Sequence, residues 1–199
     1  MKRALDFLLS LTGILLSSPL WLLVAVALKL QDRGPIFYRQ ERVGRGGQVF
    51  TALKFRSMIA NAEAGVGAIQ AARDDPRVTR VGAFLRGSAL DELPQLVNIL
   101  RGDMSFVGPR ALRPGELEHG SGGPVSLSAI PGYAERITVR PGLTGIAQIY
   151  APRDVSRRCK FRYDRLYVRR RSLWLDLRLI ALSFWISFRG TWEAPGSKW

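Results

Sequence analysis

Hydrophobic residues run without a charged interruption from Phe7 to Leu28, 22 positions, which is the length an apolar helix needs to cross the hydrocarbon core of a bilayer. Ser17-Ser18-Pro19 falls near the middle of the run. Proline lacks the N–H that a helix interior requires and clashes with the preceding turn, so a kink or break is expected there. Basic residues flank both ends, Lys2 and Arg3 before the run and Lys29, Arg33, Arg39 and Arg42 after it. Two arrangements fit this pattern. A kinked helix could span the bilayer, or a helix broken at Ser18 and Pro19 could dip into one leaflet and return, keeping both basic clusters cytoplasmic. The hydroxyls of Ser17 and Ser18 could satisfy carbonyls freed by the break. Either way the residues after Leu28 are cytoplasmic, and no small-residue cleavage site marks the run as a signal peptide.

Alternation then predicts two strands, Ile36-Phe37-Tyr38 and Val49 to Arg56, joined by the turn-rich segment Val43-Gly44-Arg45-Gly46-Gly47. Period two places Lys54 and Arg56 on one face, as a phosphate contact or simply a solvated surface, with Leu53 and Phe55 on the other. An Ala-rich helix is predicted from Met58 to Ala72, then a turn at Asp74-Asp75-Pro76. Leu93, Leu96, Val97 and Leu100 recur at helical spacing up to a Gly102 stop, with Pro94 tolerated in the first turn. Residues Pro114 to Pro131 read as an exposed loop, and Arg140-Pro141-Gly142-Leu143-Thr144-Gly145 as a type II turn that brings Arg140 close to Thr144. From Arg162 to Arg189 basic residues interleave with Trp174, Phe184, Trp185 and Phe188, a pattern that fits helices in a membrane interface or an amphipathic helix with a basic outer face. The chain is therefore α+β, mostly helical, with a membrane helix over residues 1–30 and a membrane-associated domain over 31–199.

The helix beginning near Pro94 opens on an adjacent carboxylate pair, Asp91 and Glu92. Acidic residues are common in first turns, and that alone could explain them. Composition raises their interest. The 199 residues hold 30 Lys and Arg against 16 Asp and Glu, a formal charge of +14, which implies an anionic partner: nucleic acid, an anionic bilayer or a phosphorylated substrate. One cysteine, Cys159, and one histidine, His119, exclude an intrachain disulfide and the usual zinc sets. His119 sits in a Gly-rich stretch with no evident group to orient it as a base. Nucleophilic or acid–base chemistry falls by elimination to carboxylates.

Several segments together resemble one family. Gly34-Pro35-Ile36-Phe37 with Gln40 and Arg42-Val43-Gly44, Lys54-Phe55-Arg56-Ser57-Met58, Leu90-Asp91-Glu92-Leu93-Pro94-Gln95, Gly102 through Arg110, and Arg140 through Gln148, followed by Asp164, Tyr167 and Asp176, look like the successive blocks of the bacterial sugar transferases. More narrowly, the chain is similar to the small monotopic phosphoglycosyl transferases. That resemblance implies a re-entrant helix broken at Ser18 and Pro19, with a cytoplasmic catalytic domain at the bacterial inner membrane. It implies transfer of a phosphosugar from a nucleoside diphosphate sugar, commonly a UDP-sugar, to polyprenyl (undecaprenyl) phosphate, the first membrane step of a surface glycan. It assigns Asp91 as the nucleophile of a covalent phosphosugar intermediate and as a ligand of Mg2+, with Glu92 assisting by readying the lipid phosphate. Lys54, Arg110 and Arg140 then become candidate phosphate contacts, with Arg56, Thr144 and Gln148 as further substrate-binding candidates.

Two departures stand out: Ala111 where a second proline usually follows Gly-Pro-Arg, and Ile149-Tyr150-Ala151-Pro152-Arg153 where a Gly-Arg-Asn sequence usually follows Ala-Gln. A single-step transfer with Asp91 only holding metal is the second enzymatic reading. A membrane-docked module for anionic lipid or nucleic acid is the non-enzymatic one, but the ordered blocks favour an enzyme whose partners exclude nucleic acid. Homodimerisation stays open.

Overall fold

A computed structural model describes residues 1–59, 62, 75–120, 123–152 and 155–189. Most of the helix expected from Met58 to Ala72 lies outside the described residues, as does Arg153.

The first helix, α1 (Lys2–Asp32), runs continuously through Pro19. The expected break is therefore no interruption of the helix. Its local cost is visible instead: Pro19 has no N–H to give Leu15, and the Ser18 hydroxyl donates to that Leu15 carbonyl at 2.8 Å, while Ser17 Oγ donates to Gly13 O at 2.6 Å. Among the described residues α1 is the one helix long and apolar enough to cross a membrane.

Both ends of α1 are tied to the rest of the fold. Near the start, Lys2 pairs with Asp176 at 2.7 Å, Arg3 donates to the carbonyls of Ile99 and Leu100, and buried Asp6 accepts from Ser105 Oγ and Phe106 N, both at 3.0 Å. At the other end Gln31 accepts from Val81 N and Asp32 accepts both terminal nitrogens of Arg56. Between them Leu9 and Ile14 pack on one core cluster, and Leu20, Trp21, Val24 and Leu28 on another. The opposite face carries Leu8, Leu15, Leu16, Leu22, Leu23 and Leu30, all more than half exposed.

Strands β1 (Phe37–Val43) and β2 (Val49–Phe55) form the predicted antiparallel hairpin, and Gly46 and Gly47 supply the positive φ of its turn. Helices α2 (Arg80–Gly87) and α3 (Gln95–Arg101) follow. Gly102, at φ 98°, ends α3 as expected. The buried face of α3 carries polar Gln95 and Asn98 beside Leu96 and Ile99. Asn98 explains its burial: it gives Nδ2 to Thr51 O at 2.7 Å and accepts from Leu53 N at 3.0 Å, as another strand would, and so docks α3 on the free edge of β2.

Beyond α3, β3 (Ser105–Val107) pairs in parallel with β6 (Gly142–Thr144). The type II turn expected at Arg140 to Gly145 is not formed. Gly142 lacks the positive φ such a turn needs and lies in β6 instead, where a Cβ would sit 2.0 Å from Gly108 N. The glycine is there for close backbone approach. The segment read as a loop contains a short hairpin, β4 (Leu117–Gly120) and β5 (Gly123–Ser126), and then Leu127 and Ile130, which are buried with Leu112 and Phe161. Helices α4 (Tyr133–Arg136), α5 (Ile146–Tyr150), α6 (Arg157–Arg170) and α7 (Leu173–Arg189) complete the fold. On α7, Leu179 and Ile186 join the core while Trp174, Phe184, Trp185 and Phe188 stay exposed. That leaves an apolar outer face on α7.

Candidate active site

The approach to the carboxylate pair is bent. Ala89 follows α2 with φ 57°, a left-handed conformation that costs a non-glycine residue roughly 1 kcal/mol. A single turn of 3-10 helix, Leu90–Glu92, comes next. Leu90 and Leu93 pack against the cluster built on Trp21, Val24, Leu28 and Phe55. This anchoring puts the carboxylates against the hairpin, within reach of the middle and end of α1.

Lys54 bridges the pair. Its Nζ is 2.5 Å from Glu92 Oε1 and 3.8 Å from Asp91 Oδ2, and Arg110 Nη2 approaches Glu92 Oε1 at 3.5 Å. Burial raises the pKa of Glu92, but the charges of Lys54, Arg110 and Arg42, with the Lys54 hydrogen bond, outweigh it and hold the carboxyl well below its usual range. For Asp91 burial wins. Lys54 pulls the other way but the neighbouring Glu92 charge adds to the rise, and the group is pushed up to about 6. Two adjacent carboxylates are thus given different characters by their surroundings: Glu92 a fixed anion, Asp91 a poorly solvated one.

The sign of the Asp91 shift gives a stability prediction. A carboxyl whose folded pKa lies above its unfolded value near 3.8 destabilises the fold once ionised. The penalty is absent below about pH 4, grows through pH 6 and is complete above it. Asp91→Asn should therefore be more stable than the parent at pH 7.5 in chelator, by about 1–3 kcal/mol, and the difference should close by pH 4. Thermal melts at the two pH values check this.

The other candidates divide into three groups. Arg110 is at the pair, on the turn after β3. Thr144 and Gln148 lie behind that turn: Gln148 Nε2 donates to Gly108 O at 3.3 Å, Thr144 O accepts from Gly108 N at 2.9 Å, and buried Thr144 Oγ1 makes no hydrogen bond. They position the Gly108 to Arg110 segment. Arg56 and Arg140 are directed elsewhere. Strand β2 ends at Phe55, so alternation does not carry Arg56 to the face of Lys54; it is buried and held by Asp32. Arg140 Nε donates to Gly102 O at 2.7 Å, capping the end of α3 opposite to the carboxylates.

Arg42 is the site residue that pattern reading passed over. In the hairpin register Tyr38 faces Lys54, Gln40 faces Ala52 and Arg42 faces Phe50, so Tyr38, Gln40 and Arg42 share the face of Lys54. Arg42 Nη1 donates to Ala111 O at 2.9 Å and Nη2 to Gln40. Burial, then the nearby charges of Arg110 and Arg113, lower its pKa to about 10. The charges of Lys54, Arg110 and Arg42 therefore converge on Glu92, an arrangement that favours a bound anion.

A sequence model of the family described as bacterial sugar transferase matches residues 1–190. The chain belongs to the bacterial sugar transferase family. Among the relatives of this chain, the UDP-glucose:undecaprenyl-phosphate glucose-1-phosphate transferase of Caulobacter vibrioides is 43% identical over 184 residues, 90% of this chain and 66% of the relative. The UDP-N-acetylgalactosamine-undecaprenyl-phosphate N-acetylgalactosaminephosphotransferase of Aeromonas hydrophila is 42% identical over 90% of this chain and 41% of the relative. The exopolysaccharide production protein PSS of Rhizobium leguminosarum bv. phaseoli is 38% identical over 90% of this chain and 91% of the relative. The chain thus spans less than half of some relatives and nearly all of another.

Proposed function

We propose that this chain transfers a phosphosugar from a nucleoside diphosphate sugar, a UDP-sugar as in the names of its relatives, to undecaprenyl phosphate at the cytoplasmic face of a bacterial inner membrane, with Asp91 as nucleophile. The observation that carries this is the placement of Asp91: buried beside Glu92, spanned by Lys54, faced by a cluster of arginines, and flanked by leucines that pack on α1. Asp91 attacks the phosphorus that bears the sugar. An Oδ–P bond forms as the bridging P–O bond breaks, and the nucleoside monophosphate leaves with the bonding pair. A phosphate oxygen of the lipid then attacks the same phosphorus, forming the new diphosphate and returning Asp91 as a carboxylate. Attack by an anion on a diphosphate is opposed electrostatically, and Lys54, Arg110 and Arg42 offset that opposition. Glu92, held ionised, is a weak proton acceptor; it keeps Lys54 and Arg110 in place rather than acting as a base.

Mg2+ fits this donor set. Among the described residues no three His, Cys, Asp or Glu side chains converge, and Mg2+ needs only one or two carboxylates beside water and substrate phosphates. Asp91 would hold it with the donor diphosphate, where it would neutralise phosphoryl charge. Release of nucleoside monophosphate from a panel of UDP-sugars with Mg2+, scored without acceptor, tests the function; no release with any donor in the presence of lipid acceptor would sink it.

The relatives named above differ in sugar, glucose in one and N-acetylgalactosamine in another, so the panel must include both. For α1 we infer a re-entrant course, supported by the attachment of both its ends to the same domain through Lys2, Arg3, Asp6 and Asp32. Ala4→Cys in a Cys159→Ser background should resist an impermeant maleimide added to intact cells. Labelling from outside would instead mean a spanning helix.

A further inference from the structure

The turn that presents Arg110 is held one carbonyl at a time. Gly108 O accepts from Gln148 Nε2, Pro109 O from Gly142 N at 2.9 Å, Arg110 O from Arg136 Nη2 at 2.5 Å and Ala111 O from Arg42 Nη1. Arg136 differs from the other donors in how it is itself fixed. It is buried on α4, its Nε lies 3.0 Å from Asp164 Oδ2 of α6, and its guanidinium carbon sits 4.7 Å over the Phe161 ring. One planar fork is thereby locked by a carboxylate on one edge and a ring on its face, leaving Nη2 aimed at Arg110 O. The Arg110 side chain, by contrast, is half exposed and meets Glu92 at 3.5 Å. Its position depends on its backbone.

We propose that Arg136 and Asp164 are a positioning pair that sets where Arg110 meets Glu92 and the donor diphosphate. A buried ion pair is a weak device for stability, because desolvation of both charges offsets most of their attraction, and well-packed apolar residues often do as well. What apolar replacements cannot supply is a donor at a fixed place. Asp164 and Arg136 therefore act through Arg110 and touch no substrate. This assignment rests on the transferase reading of Arg110, and the test separates the two.

The variants are Arg136→Met with Asp164→Leu, which removes both charges together, and Arg136→Lys, which keeps the pair with Asp164 but whose single nitrogen cannot also hold Arg110 O in the same geometry. Each is made alone and in an Arg110→Ala background. Two readouts are taken: single-turnover release of nucleoside monophosphate from the donor, and the rise in melting temperature with inorganic pyrophosphate. Both variants should melt close to the parent, lose on the order of ten-fold in turnover and show a smaller pyrophosphate shift. In the Arg110→Ala background the same changes should add nothing. Equal losses in both backgrounds, or parental behaviour of a variant with Arg110 present, would overturn the positioning role. Should the double replacement fail to fold, Arg136→Lys decides alone. If the parent itself turns over no donor, the transferase reading fails, while the pyrophosphate comparison still decides whether Arg136 acts through Arg110.

Discussion

Asp91→Asn should leave a folded protein that has lost donor turnover by at least about 10³-fold, the scale seen when a covalent nucleophile is removed. The substitution keeps shape and removes the charge that the proposed mechanism directs at phosphorus. Because Lys54 makes its shorter contact with Glu92, at 2.5 Å against 3.8 Å to Asp91, that ion pair survives and the local fold should persist. The combination is diagnostic: stability at neutral pH rises while activity disappears. Rates of nucleoside monophosphate release, measured beside thermal melts, check both halves. Turnover close to parental in a folded Asp91→Asn protein would exclude the nucleophile assignment and return Asp91 to an ordinary first-turn acid.

Lys54→Met should have the next largest effect, a fall of about 10²- to 10³-fold in kcat with donor. Lys54 is the cation shared by both carboxylates, and it is itself largely shielded from water, with 18% of its side chain exposed. A fixed charge in such a setting acts on the transition state far more than a solvated one would. Its loss also leaves two buried carboxylates facing each other, so protonation of one becomes favoured and the anionic nucleophile scarcer. Arg110→Ala should cost less, near ten-fold, because Arg110 is more exposed and sits farther from the pair. Steady-state kcat and KM for the two variants test the order. A Lys54→Met enzyme weakened only in KM would show that Lys54 binds ground state and transition state alike.

Local signals in the sequence carried the parts of this picture that depend on neighbouring residues. The apolar run to Leu28, the glycine turn at Gly46 and Gly47, the Gly102 stop and the Asp91-Glu92 pair are each decided within a few residues, and the structure has them where expected. What escaped depends on contacts distant in sequence. Arg42 joins the site through hairpin register, which alternation in one strand does not fix. Gly142 looks like a turn glycine but answers to the backbone of Gly108, 34 positions away. Alternation groups Arg56 with Lys54 only if the strand runs to Arg56; it ends one residue earlier and Asp32 holds the guanidinium. Asn98 and Arg136 show no motif logic at all until α3 is docked on β2 and α4 on α6. Which carboxylate attacks, and at what kind of phosphate, is implied by the family resemblance that the ordered motif blocks carry and not by the residues' physics.

A single-step transfer remains the mechanistic rival, and it differs in one observable. If Asp91 only held a metal, donor and lipid acceptor would have to be present together before anything left. The measurement that tests the central claim most directly is therefore the intact mass of the full chain after mixing with Mg2+ and each UDP-sugar, with no lipid acceptor. A covalent route predicts one phosphosugar added per chain with the preferred donor, an equal amount of nucleoside monophosphate released, and neither in Asp91→Asn. An unmodified chain with a donor that is turned over once lipid phosphate is supplied, or an adduct that persists in Asp91→Asn, would contradict it.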